Sequence, residues 1–414
     1  MHVDLLIIGA GPAGMAAALA AAPSGARIAV LDDNPAAGGQ IWRDSPQAQL
    51  PPLARQYRQR LAAQANIELL PGCRVVALAG PQALLVEDPE QGRVIHYQKL
   101  ILCTGARELL LPFPGWTLPG VTGAGGLQAL IKGGLPVAGE RIVIAGSGPL
   151  LLASAATARH NGARVLHIAE QASWSAVAGF AAQLPRWPHK LLQSFGLFHP
   201  GYRAGSHVVE ALGDERLEAV RLSIGGRLRE VACERLACGF GLVPNLQLGQ
   251  ALGCRIDEGA IAVDAWQSTS LAGVYAAGES TGFGGSEKAL AEGAIAGHAA
   301  VGEHQAAQRL WSQRARWHGF ARALHGAFAL GDEVKQLARP DTLVCRCEDV
   351  SYASLSQQQD WGRAKLSSRC GMGACQGRVC GAATQVLFGW PAPAPRPPFS
   401  PARIDTLLQL QQPD

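Results

Sequence analysis

Charge, aromatic rings and methionine are all scarce in this 414-residue chain: charged residues make up 16%, aromatic residues 6%, and there are only 3 methionines. The formal net charge of +4 comes from scattered arginines and lysines, so nothing marks a nucleic-acid or anionic-membrane surface. No apolar run approaches the roughly 18 residues that a membrane-spanning helix needs. Residues 1–4 lead straight into a buried-strand pattern, with no charged segment, apolar core and cleavage site ahead of it, so no secretory signal is expected. A cytoplasmic protein with no transmembrane segment is predicted, and in that reducing compartment its 10 cysteines serve ligation or catalysis better than disulfides. What is abundant is apolar content, 48%, and glycine, 50 residues, in a chain long enough for two or three domains.

The glycines fall into two strand–turn–helix–strand patterns. Residues 5–8, Leu-Leu-Ile-Ile, form a continuous apolar run suited to a strand buried on both faces. Gly9-Ala10-Gly11-Pro12-Ala13-Gly14 follows, then an alanine-rich helix to about Ala22 and a second strand over 27–31. Gly9 permits the turn, Gly11 lets backbone N–H groups approach a pyrophosphate, and Gly14 allows the helix to pack closely on the strand. The helix N-terminus adds its partial positive charge. Asp32, or its neighbour Asp33, ends the second strand where a carboxylate can accept a ribose hydroxyl.

The pattern starts again at Arg141, with a strand over 142–145, the turn Gly146-Ser147-Gly148-Pro149 and a helix over 150–160. Its third motif position is Leu151 instead of glycine, so the helix cannot pack as closely. Glu170 ends the following strand and can hold a ribose hydroxyl, and no arginine follows in the place a 2′-phosphate would need. NAD, ATP or no ligand at all remain open for this second fold. No CxxC pair lies in either fold, which argues against a redox disulfide.

Cysteines gather near the C-terminus. Cys345 and Cys347 stand as CxC, and Cys375 and Cys380 lie in Gly371-Met372-Gly373-Ala374-Cys375-Gln376-Gly377-Arg378-Val379-Cys380. Sulfur-rich donors select iron–sulfur or zinc. The CxC spacing is tighter than a zinc knuckle's CxxC and no histidine stands nearby to complete one, which leaves zinc as the lesser alternative. Arg346, Arg369 and Arg378 flank the thiols and can offset a cluster's negative charge. Cys370 is a fifth cysteine without an assigned role.

Gly38-Gly39-Gln40, residues 100–106 with Thr104 and Gly105, and Ala276-Ala277-Gly278-Glu279 resemble the further FAD contacts of the two-dinucleotide-binding-domain flavoproteins. The resemblance implies FAD at the first site, with Gly39, Gln40, Thr104, Gly105, Gly278 and Glu279 among its contacts; Glu279 stands where that family usually has Asp. Residues 114–121 (Pro-Gly-Trp-Thr-Leu-Pro-Gly-Val), residues 239–245 and the two cysteine segments are similar to one group in particular. These are the FAD-containing α-subunits of heteromeric amino-acid and amine dehydrogenases, of the D-hydroxyproline or L-proline dehydrogenase, opine oxidase and hydrogen cyanide synthase types. Their cysteine module is similar to the bacterioferritin-associated ferredoxin-like [2Fe-2S] domain, which implies Cys345, Cys347, Cys375 and Cys380 as ligands and Cys370 as a bystander.

The expected fold is α/β: a Rossmann-like, two-dinucleotide-binding-domain flavoprotein with a small, mainly helical [2Fe-2S] domain. The FAD domain is expected over 1–115 and 236–304, the second dinucleotide-like domain over 116–235, a helical connector over 305–340, the cluster domain over 341–392 and an extended tail over 393–414. The resemblance further implies a hetero-oligomer, in which a flavoprotein β-subunit oxidises the amino acid, a ferredoxin-like γ-subunit often accompanies it, and this chain transfers electrons. No His or Tyr base beside a carboxylate-binding Arg is found, so no catalytic residue is assigned. A self-contained NAD(P)H-dependent reductase and a scaffold with a structural or redox-sensing cluster are the alternatives.

Overall fold

The computed structural model describes residues 1–43, 50–391 and 395–411. They form two compact units, Met1–Arg107 with Pro244–Ala321 and Ala394–Asp414, and Glu108–Val243 with Arg322–Pro393.

In the first unit, Ile67–Pro71, Ile28–Asp32, His2–Ile8 and Gly92–Leu102 lie side by side in parallel, and Val274–Ala276 adds a further parallel strand to Gly92–Leu102. The first half of Gly92–Leu102 also carries an antiparallel meander of Ala83–Glu87 and Arg74–Gly80. Successive strand residues point to opposite faces. Leu5 and Ile7 therefore pack with Met15, Ala17 and Ala18 of the helix Pro12–Ala21, while Leu6 and Ile8 pack with Leu84, Leu100 and Leu102 on the other face. Burial on both faces is why this strand reads as an unbroken apolar run. The expected first helix ends at Ala21, and a 3-10 turn over Ala22–Ser24 closes it onto Gly25.

In the second unit, the strands Tyr202–Ala204, Arg164–Glu170, Arg141–Gly146, Arg235–Gly239 and Val121–Gly123 form a parallel sheet. Ile142 and Ile144 face Leu151, Ala155 and Ala158 of the helix Leu150–His160. Val143 and Ala145 face Val208, Val220 and Leu222 of an antiparallel layer, Ser206–Leu212, Ala219–Ile224 and Arg227–Ala232. The next strand in the chain, Arg235–Gly239, leaves this layer and joins the parallel sheet.

The cysteine module belongs to this second unit. A short antiparallel pair, Leu343–Cys345 with Val350–Ser351, and the helices Tyr352–Ser356, Trp361–Ser368 and Cys380–Phe388 enclose a core of Val344, Val350, Leu355, Trp361, Ala364 and Trp390. Ala382 packs into the antiparallel layer's core, and Trp116 Nε1 donates to the Leu343 carbonyl at 2.6 Å.

The expected boundaries at 115 and 236 compare with unit limits at Arg107 and Pro244, and the limit in the expected connector falls within the helix Trp311–Ala327. The expected extended tail instead carries a helix, Ile404–Leu408, with Thr406 fully buried beside Gly92 and Arg403 ion-paired with Glu87. Residues 392–394, where that tail begins, and 412–414, where it ends, lie outside the described residues.

Candidate functional site: a flavin cradle and a thiol cluster

In the first unit, Gly9 takes φ +103°, and a Cβ there would stand 2.2 Å from the Cys103 carbonyl oxygen. A Cβ at Gly14 would stand 1.8 Å from the Gly9 carbonyl oxygen. Only glycine lets the turn and helix close this tightly. Gly39 comes against Gly11, its hypothetical Cβ 3.1 Å from the Gly11 Cα, so the second glycine loop folds over the first. Asp32 is buried and turned inward, with Oδ2 accepting from the Ala10 N–H at 2.6 Å and Oδ1 from the Asn34 N–H and side chain. Asp33 stays at the surface. Thr104 Oγ1 donates to the Asn245 carbonyl and the Asn245 side chain donates back to the Thr104 carbonyl, which fixes the loop containing Gly105.

Gly278 follows the strand Val274–Ala276 with φ +81°, and its N–H donates to Glu292 Oε2. Glu292 is fully buried. It also receives Lys288 Nζ at 2.8 Å and Thr281 Oγ1 at 2.8 Å, and His318 Nε2 lies 2.8 Å from its other oxygen. Burial pushes the Glu292 carboxyl upward, but the Lys288 ammonium and His318 outweigh it and hold the group below the usual carboxylate range. Next to this network, Glu279 Oε1 accepts from the Gly285 N–H, while its buried Oε2 has no hydrogen-bond partner among the described residues. Burial raises the Glu279 pKa against the pull of Lys288. A buried carboxylate oxygen without a donor costs free energy, and a hydroxyl-rich cofactor chain is the kind of group that satisfies it. The residues fit FAD on this observation and on the glycine cradle. The sequence reading missed the Lys288–Glu292–His318 network; its signal was the i,i+4 Lys–Glu pair on the helix Ser286–Ala300.

In the second unit, Gly148 N–H and Ala172 N–H donate to the two oxygens of Glu170, at 2.7 and 2.9 Å. Burial pushes the Glu170 carboxyl up to about 7, despite these bonds and those from Ser147 and Tyr202. Ser147 Oγ donates to the Phe328 carbonyl at 2.9 Å, the Gln171 amide donates to the Ala329 carbonyl, and the Phe328 side chain would lie 3.7 Å from a Cβ on Gly148. The chain's own connector therefore lies against the second glycine turn.

The cysteines converge. The sulfurs of Cys345, Cys370 and Cys380 lie within 4.8 Å of one another and are all buried. Cys347 and Cys375 hydrogen-bond to each other. Backbone N–H groups of Cys347, Glu348 and Gly371 point at the Cys345 sulfur, that of Cys375 at Cys347, and those of Gly377, Arg378 and Val379 at Cys375. Burial opposes ionisation of Cys375, but these N–H groups hold its thiol below the usual value. A Cβ on Gly373 would stand 2.3 Å from the Cys347 Cβ. An all-sulfur donor set ringed by N–H dipoles fits an iron–sulfur cluster. Of the four expected ligands, Cys345 and Cys380 come together with Cys370, a bystander on the sequence, while Cys347 and Cys375 pair with each other. Arg346 lies 5.2 Å over the Trp116 ring, and Arg369 Nε is 2.8 Å from Glu348 Oε2.

Among the described residues no helix is long and apolar enough to cross a membrane. The chain is 32% identical to hydrogen cyanide synthase subunit HcnB of Pseudomonas protegens, over 92% of this chain and 90% of that one. It is 30% identical to an opine oxidase subunit of Agrobacterium tumefaciens, over 98% and 92%. Among solved structures, L-proline dehydrogenase from P. horikoshii matches 98% of this chain and 79% of its own with a TM-score of 0.66, at 16% identity, a likeness of fold alone. The model of the pyridine nucleotide-disulphide oxidoreductases matches residues 3–306. The chain is a member of that family, which makes it an oxidoreductase and implies FAD.

Proposed function

We propose that this chain is the FAD- and [2Fe-2S]-containing electron-transfer subunit of a multi-subunit amino-acid dehydrogenase, relaying electrons from a flavoprotein β-subunit that oxidises an imino acid, such as D-hydroxyproline or proline, or an opine. The observation that carries this reading is the convergence of the cysteine thiols, ringed by backbone N–H groups, in a chain that also builds a flavin cradle. Relatives named as subunits, those of hydrogen cyanide synthase and opine oxidase, support a multi-subunit assembly. A ferredoxin-like γ-subunit is the further partner.

FAD held here would supply a two-electron store that can be emptied in single steps, and a [2Fe-2S] centre would supply a one-electron carrier. The chain's residues hold and tune these groups. Gly9, Gly11 and Gly14, with Pro12 and Ala13 opening the helix, present N–H groups to the pyrophosphate. Asp32 holds the turn through Ala10, and Asp33 is the surface-facing candidate for a ribose hydroxyl. Gly39 folds over the turn with Gln40 beside it, and Thr104, Gly105, Gly278 and Glu279 would complete the flavin site. Glu279 Oε2 would accept a cofactor hydroxyl there, while Lys288 and Glu292 fix its loop. Cys345, Cys347, Cys375 and Cys380 would hold the iron.

An NAD(P)H-driven reductase would need the second turn, Gly146, Gly148 and Pro149 with Glu170, to receive a nucleotide. The bonds from Ser147 and Gln171 to the connector speak against that reading. In an anaerobic titration, NADH is expected to leave the flavin band of the purified chain unbleached, and a proline-type substrate is expected to bleach it only once the β-subunit is present. Bleaching by stoichiometric NADH, or amino-acid:dye activity in the isolated chain, contradicts the proposal.

A further inference from the structure

The thiols of the cysteine module fall into two groups. Cys347 and Cys375 hydrogen-bond to each other, while Cys345, Cys370 and Cys380 form a buried trio whose sulfurs lie within 4.8 Å of one another. Within the trio, the Cys380 side chain hydrogen-bonds to those of both Cys345 and Cys370. Among the described residues, no third thiol joins Cys347 and Cys375 at that spacing. The backbone fixes Cys370 in the trio. It lies between two left-handed residues, Arg369 at φ +63° and Gly371 at φ +79°. Arg369 closes the helix Trp361–Ser368 and pairs with Glu348, next to Cys347. The Trp361 ring covers Gly371, 2.5 Å from where a Cβ would stand.

Thiolates that share one tetrahedral metal, on bonds of about 2.3 Å, lie about 3.8 Å apart. Those on opposite irons of a [2Fe-2S] core are held farther apart by the bridging sulfides. The two groups therefore match the two irons, and the trio offers three thiols for two places. We infer that Cys347 and Cys375 share one iron, that Cys345 and Cys380 share the other, and that Cys370 is a replacement ligand for that second iron. The inference rests on the relay reading above and assigns the ligands of its cluster iron by iron. Replacement changes no oxidation state: as the Cys370 sulfur binds iron its proton leaves to solvent, and the displaced sulfur of Cys380 or Cys345 takes one up.

The test uses alanine variants of the full chain carrying its cofactors. Iron and acid-labile sulfide are measured with the EPR spectrum after dithionite reduction, and FAD content checks folding. Cys370→Ala is expected to match wild type. Cys380→Ala is expected to keep its iron with a shifted spectrum, and Cys370→Ala/Cys380→Ala to lose it. Cys375→Ala is expected to lose the cluster although Cys370 is present. Cys345→Ala, which Cys370 also neighbours, answers in place of Cys380→Ala if that variant fails to retain FAD. Loss of iron from a Cys380→Ala chain that keeps FAD overturns the inference and leaves the relay reading intact. Survival of the cluster in the double variant or in Cys375→Ala does the same. Loss from Cys370→Ala also overturns it, by making Cys370 a standing ligand. A wild-type chain without a [2Fe-2S] signal brings down the relay reading itself.

Discussion

Glu279 is the residue of the proposed flavin cradle whose role is most directly testable. Its Oε2 is buried without a donor in the chain alone, a state that costs about 1–3 kcal/mol unless a ligand supplies one. Replacing it with alanine removes that acceptor. FAD affinity, measured by flavin fluorescence, is expected to fall about tenfold, or about 1.4 kcal/mol, with circular dichroism unchanged; equal affinity would remove Glu279 from the cradle. Glu170 gives a pH signature. Folding raises its pKa from 4.5 to about 7, chiefly through burial. The folded state then holds the proton more tightly than the unfolded one, so this group's contribution to stability is lost as pH rises from about 4.5 through 7, by up to about 3 kcal/mol. Thermal melts between pH 5 and 8 should slope downward in wild type and flatten in Glu170→Gln. The same slope in both proteins would show that another group sets it. Both carboxylates are visible in the sequence as strand-end acids. Their opposite situations are not, because Oε2 of one is orphaned among the described residues, while one oxygen of the other is held by Gly148 of the glycine turn, 22 residues earlier in the chain.

At the level of elements, the helix Ser286–Ala300 packs on Pro12–Ala21 through glycine. A Cβ on Gly293 would stand 2.0 Å from the Ala13 carbonyl oxygen, and one on Gly297 2.2 Å from that of Ala17. Gly297→Ala is expected to destabilise the protein by about 1–3 kcal/mol through overpacking, and Gly293→Ala to displace Ala13 and weaken FAD retention as well. Gly196, in the exposed helix Pro188–Leu197 with open space where its Cβ would point, is the control. Alanine there is expected to be neutral or to stabilise by up to about 1 kcal/mol. Urea unfolding checks all three, and an equal cost at Gly196 and Gly297 would refute the close-packing explanation. The two βαβ starts are legible because short-range chemistry writes them: an apolar run, a glycine turn, a proline at the helix start. The strand Arg235–Gly239 is not, because its parallel partners, Arg141–Gly146 and Val121–Gly123, are chosen by the tertiary sheet. The tail helix Ile404–Leu408 is equally hidden: a proline-rich approach reads as extended chain, while burial of Thr406 against Gly92 is a long-range event.

Over the whole molecule, the sequence reading separates a flavin-binding half, a second nucleotide fold and a cysteine module, and the two compact units merge the last two. Trp116 and Ala382 explain the merger, since both fasten the module to the second fold, and neither advertises a long-range partner in a sequence pattern. The connector's approach to Ser147 has the same character. Cysteine spacing announces the thiol site, but not that Cys370 stands within it, because the left-handed Arg369 and the covering Trp361 aim that thiol. The central claim is that one chain unites a flavin with a one-electron iron–sulfur carrier. Low-temperature EPR of the purified chain after dithionite reduction, with FAD quantified in the same sample, tests it most directly. One spin-half [2Fe-2S] signal per FAD is expected; an EPR-silent protein holding stoichiometric zinc at its cysteines would contradict the claim.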